Sequence, residues 1–331
     1  MGRLIRVLSI DGGGIRGLIP AILLAELERL TGRPVAETFD LIAGTSTGGI
    51  LALGLTCPGA DGKPRYRASD LVDLYVAEGP VIFRRSGWRR VGTVGGLFEE
   101  KYPSDGIESV LEKYFGERRI DEALTDVLVT AYALEQRRPY FFKSRSARSG
   151  DAPAHRMREA ARATSAAPTF FEPARLAMHG PAEYDALVDG GVFANNPAMC
   201  AWAEAQKHLV ERADDEILVV SLGTGELVRP IPWEQAKDWG LANWAVPILD
   251  VVFDGVSDVV DYQLRQLLQP VDGERRYYRF QTRLDEGFDD MDDASRTNLR
   301  VLRLLATDLI QRSEIELATL AKRLAESGSG R

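Results

Sequence analysis

The sequence predicts an α/β fold with a mainly parallel central sheet and a helical C-terminal region. Residues 4–10 form an apolar, β-branched run that stops at a glycine turn, and residues 18–30 then carry apolar side chains at helical spacing. The same figure recurs over residues 39–55, where a short apolar run, a Gly-Ser turn and a small-residue helix follow one another. Strands that alternate with helices indicate a parallel sheet covered on both faces, with functional residues at the carboxyl ends of its strands.

Further elements follow the same pattern along the chain. Buried strands are predicted at residues 127–134, 186–188 and 217–221. A helix is expected to begin near Pro197, between the last two of these strands. Aliphatic residues recur at three- and four-residue steps over 246–268 and 297–324, which predicts helices there.

The domain organisation predicted from this pattern is a single domain, because no Pro/Gly/Ser linker divides the chain. We expect a core at residues 4–225 and a helical region at 226–325 packed on it. The last residues, 326–331, read as a flexible tail.

Composition places the chain among soluble globular proteins. It has 331 residues, a formal charge of −8 and 45% hydrophobic residues. A pI near 5.2 argues against whole-surface attraction to a nucleic-acid polymer. Cys57 and Cys200 are too few for a disulfide framework or a Cys-type zinc site, and no apolar h-region precedes Asp11, so a cytoplasmic location is expected. The charge-free residues 41–60 could span a bilayer, but their five glycines and Pro58 favour a buried strand, turn and helix.

A G-x-S-x-G motif supplies the candidate nucleophile. Gly44 and Gly48 flank Ser46 between a predicted strand and a predicted helix, the context that this motif requires. The glycines relieve crowding in a strained turn, which would expose the hydroxyl above the sheet at the positive end of the helix. The alternative is a tight turn in which Ser46 caps the helix.

A serine nucleophile needs a base, and the histidines are poorly placed to supply one. In α/β-hydrolases the chain order is Ser, acid, His. His208 follows Asp189, the acidic candidate, but lies within a predicted helix, while His155 lies in an arginine-rich loop and His179 beside a Gly-Pro pair. A carboxylate that takes the Ser46 proton directly is therefore the better interpretation.

Asp189 is the carboxylate that the strand pattern favours. It ends the apolar run 186–188 and precedes Gly190 and Gly191, which would place it at a strand end on the functional rim of the sheet. Asp-Gly is also a common turn dipeptide without chemistry, and the residues alone leave that alternative open.

A glycine loop after the first strand is the third candidate part of the site. Gly12, Gly13 and Gly14 are consecutive, and successive glycines allow backbone N–H groups to converge on an anion, as an oxyanion hole requires. With Gly17 they also form a G-x-G-x-x-G pattern. A dinucleotide site is disfavoured because Asp40 precedes the second strand instead of ending it, and a P-loop because no Gly-Lys-Ser/Thr follows.

Four ordered segments, at residues 11–17, 44–48, 162–171 and 189–191, together resemble the patatin-like phospholipases. The likeness runs from about residue 4 to residue 225. It implies a three-layer α/β/α fold related to cytosolic phospholipase A2. It further implies a Ser-Asp dyad that hydrolyses acyl esters of lipids with no metal or other cofactor.

The resemblance also implies roles by position. Ser46 would be the nucleophile and Asp189 the base, with the backbone N–H groups of an oxyanion hole above them. The oxyanion hole is carried over to Gly12, Gly13, Gly14 and Thr47. Supporting roles are carried over to Arg16, Gly17, Gly44, Gly48, Gly190 and Gly191. Arg16 would hold the glycine loop or meet a lipid phosphate, and Asn195-Asn196-Pro197 would start a helix.

A lipid hydrolase must meet a bilayer, and one arginine-rich stretch is a candidate contact surface. It combines Arg84, Arg85, Arg89 and Arg90 with Trp88 in a predicted loop. Each cation near an anionic surface could add about 1 kcal/mol. The alternative is a solvated loop. A second basic and aromatic cluster, at 137–145, has aromatics that indicate a strand.

Regulation and assembly stay open at this stage. Some patatin-like enzymes of bacterial anti-phage systems are switched on by cyclic nucleotides, and the likeness of residues 8–55 leaves such an activator open. A homo-oligomer is likewise left open. The alternative functions are a storage or binding protein with a vestigial site and, less favoured, a dinucleotide-binding oxidoreductase.

Overall fold

The computed structural model describes residues 2–84, 101–180, 183–226, 230–244, 247–284 and 290–326. Its strands are β1 (Leu4–Ile10), β2 (Leu41–Thr45), β3 (Asp126–Ala133), β4 (Arg138–Lys143), β5 (Ala174–Gly180), β6 (Glu183–Asp189), β7 (Glu216–Leu222) and β8 (Tyr277–Phe280). Its helices are α1 (Leu18–Thr31), α2 (Val35–Thr38), α3 (Thr47–Thr56), α4 (Ala68–Ile82), α5 (Asp105–Phe115), α6 (Ser144–Ser149), α7 (Met157–Thr164), α8 (Gly191–Ala194), α9 (Ala198–His208), α10 (Trp233–Ala236), α11 (Leu241–Trp244), α12 (Pro247–Leu267), α13 (Arg296–Arg312) and α14 (Glu314–Glu326). Short 3-10 turns lie at Gly14–Gly17 and Ile120–Glu122.

The strands form one eight-stranded sheet in the order β5-β6-β3-β2-β1-β7-β8, with β4 paired to β3. The run from β3 through β2, β1 and β7 to β8 is parallel throughout. The predicted, mainly parallel sheet is therefore confirmed. At the other end of the sheet, β4, β5 and β6 pair antiparallel, which the strand-helix alternation did not predict.

Helices cover both faces of this sheet, as the continuous apolar strands require. In β1, Leu8 and Ile10 pack with α1, α4, α13 and α14, whereas Ile5 and Val7 pack on the opposite face with α9 and α12. Strand β7 alternates in the same way. The result is the three-layer α/β/α arrangement, with buried apolar clusters above and below the sheet.

The C-terminal region differs from the purely helical prediction in two places. Residues 277–280 form β8, which extends the central sheet by pairing with β7. The helix predicted over 297–324 is two helices, because α13 ends at Arg312 and α14 begins at Glu314. A four-residue strand is too short for a periodic signal in the sequence.

The charge-free residues 41–60 supply β2 and α3, which are buried throughout. This matches the buried strand and helix expected from their glycines. No helix among the described residues has the length and hydropathy needed to cross a membrane.

Candidate active site

The G-x-S-x-G motif folds into a sharp turn between β2 and α3. Ser46 has φ 54° and ψ −124°, a conformation that costs a residue with a side chain on the order of 1–3 kcal/mol. Its N–H donates to Thr164 Oγ1 at 2.8 Å, and its carbonyl accepts from Ile50 N–H at 3.1 Å. A Cβ on Gly44 would collide with the backbone of Gly48, so only glycine fits at position 44 in this turn.

Strand pairing brings Asp189 to the same point. Strand β4 pairs with β3 along residues 128–133, so β2 and β6 must share the other edge of β3. Strand β2 runs parallel to β3 and ends with Thr45 opposite Thr130, while β6 runs antiparallel and ends with Asp189 opposite Ala131. The carboxyl ends of β2 and β6 therefore meet along this edge of β3, and their last residues, Thr45 and Asp189, are neighbours.

This geometry corrects the reason for the Asp189 prediction, although not its outcome. The alternation of strands and helices predicts that Asp189 lies at the carboxyl end of a parallel strand. Strand β6 is antiparallel, and Asp189 reaches the rim because β6 continues the edge of β3 beyond the end of β2.

Asp189 is buried and lines the same cleft as Ser46, whose hydroxyl lowers the pKa of this carboxyl as a hydrogen-bond donor. Gly191 N–H donates to Asp189 Oδ1 at 2.8 Å, which fixes the carboxylate from the other side. Burial raises the pKa of Asp189 to about 7, against the lowering effect of these two hydrogen bonds. A carboxylate with a pKa near neutrality is a stronger base than an exposed one and is still largely ionised above pH 7.

The glycine loop offers some of its predicted amides but not all of them. Gly12 N–H donates to the Asn195 carbonyl at 3.0 Å, so this amide is already bonded, and its role in an oxyanion hole stays a prediction. Thr224 Oγ1 donates to the Gly12 carbonyl at 2.6 Å. Because the two sides of a trans peptide point in opposite directions, this bond directs the Gly13 N–H away from Thr224.

Arg16 holds the next peptide in the same manner. Its side chain is buried, and its backbone N–H and Nε donate to the Gly13 carbonyl at 3.1 and 3.2 Å. The Gly14 N–H is thereby directed the other way. Among the described residues, the amides of Gly13, Gly14 and Thr47 have no hydrogen-bond acceptor, and all three residues line the cleft that contains Ser46.

The C-terminal region anchors the glycine loop. Asp11, at the head of the loop, forms a buried ion pair with Arg279 of β8 at 2.7 Å. Burial raises the pKa of Asp11, and Arg279 opposes that shift. Farther along the loop, Ile15 N–H donates to the Met291 carbonyl at 2.8 Å. The loop that would carry the oxyanion is thus held from outside the predicted 4–225 core.

An apolar cleft opens from these residues. The cleft is narrow, with a cavity volume of about 70 Å³. Ser46, Thr47, Asp189, Gly13 and Gly14 lie in its wall. The remaining wall is mainly aliphatic and aromatic and includes Ile15, Ile50, Leu74, Tyr75, Ile82, Phe83, Ile107, Phe170, Phe171, Phe253 and Met291. Such a wall suits an acyl chain.

The histidines are engaged elsewhere, and none is among the described residues that line the cleft. His155 is buried against Tyr140, whose hydroxyl lies 2.9 Å from His155 Nε2, and burial lowers the pKa of this histidine. His208 ends α9, with its Nε2 3.7 Å from Glu204. The side chain of His179 lies outside the described residues.

A dinucleotide site finds no support in this geometry. Asp40 is buried and bound by Arg6, whose Nε donates to it at 2.9 Å, so it does not face a ribose site at the end of β2. Burial alone would raise the pKa of Asp40, but the hydrogen bonds and charge of Arg6 hold it at about 2. The Gly12 amide, which the fingerprint would direct at a phosphate, is occupied by Asn195.

The supporting glycines lie where backbone segments approach closely. A Cβ on Gly48 would collide with the Ile10 carbonyl, and one on Gly190 with Thr130. Gly17 packs in the same way between Thr47 and Tyr75. Beyond them, Asn196 Oδ1 accepts from Ala198 N–H at 3.1 Å, which fits the predicted helix start.

Of the first arginine cluster, Arg84 is described and exposed. Arg85, Trp88, Arg89 and Arg90 lie outside the described residues, so the membrane-contact prediction is not tested. The second cluster forms β4 as its aromatics indicated, and two of its cations are paired, Lys143 with Glu204 and Arg145 with Asp126.

Several residues of the site escaped sequence reasoning. Thr164 binds the nucleophile turn, Thr224 orients the glycine loop, Arg279 pairs with Asp11, and Tyr75 bonds Thr47. Thr164 lies within residues 162–171, one of the four segments that carry the family resemblance, so the sequence does mark this region as part of the site. The other three carry no local pattern.

Comparison with known proteins gives a consistent relationship. The family model described as "Patatin-like phospholipase" matches residues 8–202. Patatin-like protein 4 of Arabidopsis thaliana is 32% identical, over 93% of this chain and 84% of its own length. Patatin-T5 of Solanum tuberosum is 33% identical, over 95% and 85%. A second Solanum tuberosum protein, named "Probable inactive patatin-3-Kuras 1", is 32% identical, over 98% and 94%.

Proposed function

Because the chain belongs to the patatin-like phospholipase family of lipid acyl hydrolases, we propose that it cleaves acyl esters of membrane phospholipids through a Ser46-Asp189 dyad. The observation that carries the proposal is the placement of Ser46 and a buried carboxylate of raised pKa, Asp189, together in the wall of a mainly apolar cleft. The reaction would be of the phospholipase A type.

The geometry supports a two-step acyl transfer. Asp189 takes the Ser46 proton as Ser46 Oγ attacks the ester carbonyl, and the amides of Gly13, Gly14 and Thr47 receive the developing oxyanion. Asp189 then returns the proton to the departing alcohol. In the second step Asp189 takes a proton from water, which attacks the acyl-serine and releases the fatty acid. The acyl chain would lie in the apolar cleft throughout.

The discriminating experiment compares wild type with Ser46→Ala on phosphatidylcholine vesicles and on a p-nitrophenyl ester. We expect release of free fatty acid and lysophospholipid by wild type, seen by mass spectrometry, and loss of both products in the variant. Ser46→Ala keeping more than a few per cent of turnover would remove the nucleophile assignment.

A storage or binding protein with a vestigial site is the second candidate. This candidate is supported by the similarity to the Solanum tuberosum protein whose name includes "Probable inactive". The wild type would then bind lipid or ester without turnover. Lack of fatty acid release by a folded wild type, with ester binding intact, would support this candidate over the first.

Two finer proposals concern membrane docking and regulation. We propose a cytoplasmic enzyme that docks peripherally on anionic lipid through Arg84, Arg85, Arg89 and Arg90. Replacing all four by Ser should weaken vesicle binding and its salt sensitivity while hydrolysis of a small soluble ester is unchanged. Equal losses on both substrates would place these arginines in the support of the fold.

Gating by a cyclic nucleotide, as in an antiviral effector, rests on the sequence resemblance alone. A gated enzyme would leave vesicles intact until the nucleotide is added. Full vesicle hydrolysis without any ligand would refute gating and leave the hydrolase proposal standing.

A further inference from the structure

Tyr75 of α4 lies against the joint between the two segments that supply the oxyanion amides. Gly13 and Gly14 belong to the loop after β1, whereas Thr47 is the first residue of α3. Tyr75 Oη forms a hydrogen bond with Thr47 Oγ1 and lies 3.3 Å from the Thr47 carbonyl oxygen, to which it donates. One phenol therefore holds both the side chain and the backbone of Thr47.

The glycine loop closes on the same contact. Gly17, at the end of the 3-10 turn that follows Gly14, packs so closely that a Cβ there would collide with Thr47 Oγ1 and with the Tyr75 ring. Gly17, Thr47 and Tyr75 thus meet at one point. Tyr75 therefore touches both the glycine loop and the turn that carries Ser46.

The contact between Tyr75 and Thr47 is buried, so losing its hydrogen bonds would be costly. Tyr75 is 5% exposed and Thr47 is 4% exposed, in the wall of a mainly apolar cleft. Burial also raises the pKa of Tyr75, so its hydroxyl stays protonated at any working pH. Removing the phenol oxygen would leave Thr47 Oγ1 without this partner in apolar surroundings, and Thr47 would rotate or shift to find another.

We propose that Tyr75 is a positioning residue for the oxyanion hole: it fixes the Thr47 amide relative to those of Gly13 and Gly14. The Ser46 carbonyl is bound by Ile50 N–H, so the Thr47 N–H points out of the helix, towards the space above the nucleophile. Tyr75 does not touch the reacting atoms. Its effect is carried by Thr47, and it rests on the proposed hydrolase function.

The test variant is Tyr75→Phe, which removes the oxygen and keeps the ring. On a p-nitrophenyl ester we expect kcat to fall about 10- to 100-fold with KM changed less than 3-fold, because an oxyanion donor acts mainly in the transition state. The rate of inactivation by an alkyl fluorophosphonate should fall by a similar factor, since its phosphonyl oxygen must enter the same hole.

Two further variants separate positioning from simple support of the fold. Tyr66→Phe is the matched control, because the Tyr66 hydroxyl also donates to a backbone carbonyl, that of Tyr114, at 2.8 Å. It should keep wild-type kcat. Thr47→Val keeps the amide and removes the hydroxyl, so it should reproduce the Tyr75→Phe loss, and the double variant should lose no more than the worse single one.

Three results would overturn the inference. They are wild-type kcat in Tyr75→Phe, a comparable loss in Tyr66→Phe, or losses that simply multiply in the double variant. A wild type that neither hydrolyses the ester nor reacts with the fluorophosphonate would refute the proposed function itself, and the inference with it. These outcomes are distinguishable because the wild type is measured first.

Discussion

Replacing Asp189, the proposed catalytic base, should make the protein more stable at neutral pH. Asp189 has a pKa of about 7 in the folded chain against 3.8 as the reference value, and the cause is burial. Between these two pH values the folded chain keeps a proton that the unfolded chain has released. Stability therefore falls as pH rises from about 4 to about 7, and the cost is complete above pH 7.

The size of this effect follows from the two pKa values. One pH unit of difference corresponds to about 1.4 kcal/mol, so ionising Asp189 in its buried site costs on the order of 4 kcal/mol of folding free energy. Asp189→Asn removes that cost and keeps an oxygen that can accept the Gly191 N–H. We expect the variant to be more stable than wild type by up to ~4 kcal/mol at pH 8 and about equal to it at pH 4.

The assay is denaturant unfolding of wild type and Asp189→Asn at several pH values from 4 to 8. Asp40→Asn is the control of opposite sign, because the hydrogen bonds and charge of Arg6 outweigh burial and hold the pKa of Asp40 at about 2. That variant should be less stable than wild type at pH 8, by at least ~2 kcal/mol. An Asp189→Asn variant that is less stable than wild type at pH 8, or whose advantage does not change with pH, would refute this account of the site.

Four further outcomes follow from the same geometry. Ser46→Ala should lower ester turnover by several powers of ten with an unchanged circular dichroism spectrum, and retained turnover would contradict the dyad. The kcat/KM of wild type should fall about 100-fold from its plateau by pH 5, because Asp189 must be ionised to take a proton, and a flat pH profile would exclude it as the base. Arg279→Met should cost about 3–5 kcal/mol of unfolding free energy by leaving a buried carboxylate unpaired, whereas Arg29→Met, at an exposed pair, should leave the unfolding free energy nearly unchanged. His208→Ala should keep most activity, since its side chain lies beside Glu204 at the end of α9, and near-complete loss in a folded variant would restore a Ser-acid-His triad.

Sequence predicted the parts of the site that are built locally. The strand at 4–10 and the turn around Ser46 depend on neighbours in the chain: an apolar run that stops at glycines, and glycines on both sides of a serine. Both the strand and the turn can be predicted from the sequence because the steric demands of a few consecutive residues fix them.

The parts of the fold and of the site that could not be predicted from the sequence depend on residues far away in the chain. The direction of β6 is decided by its pairing with β3, and nothing within 183–189 marks it as antiparallel. Thr224 and Tyr75 are common residue types whose roles appear when folding sets them against Gly12 and Thr47. Strand β8 offers four residues, too few for a period to emerge.

The dependence of the glycine loop on its distant partners changes how the catalytic unit should be defined. The family match ends at residue 202 and the sequence-based core at 225, yet Arg279 pairs with Asp11 and the Met291 carbonyl binds the Ile15 amide. An oxyanion hole is effective only if its donors are already oriented before the charge develops. Because Arg279 and the Met291 carbonyl hold the two ends of the loop that carries Gly13 and Gly14, a chain cut at 225 would lose both of these anchoring contacts. Under the proposed function, the C-terminal region would therefore be part of the catalytic unit, because a buried ion pair and a backbone hydrogen bond join it to the loop that would carry the oxyanion hole.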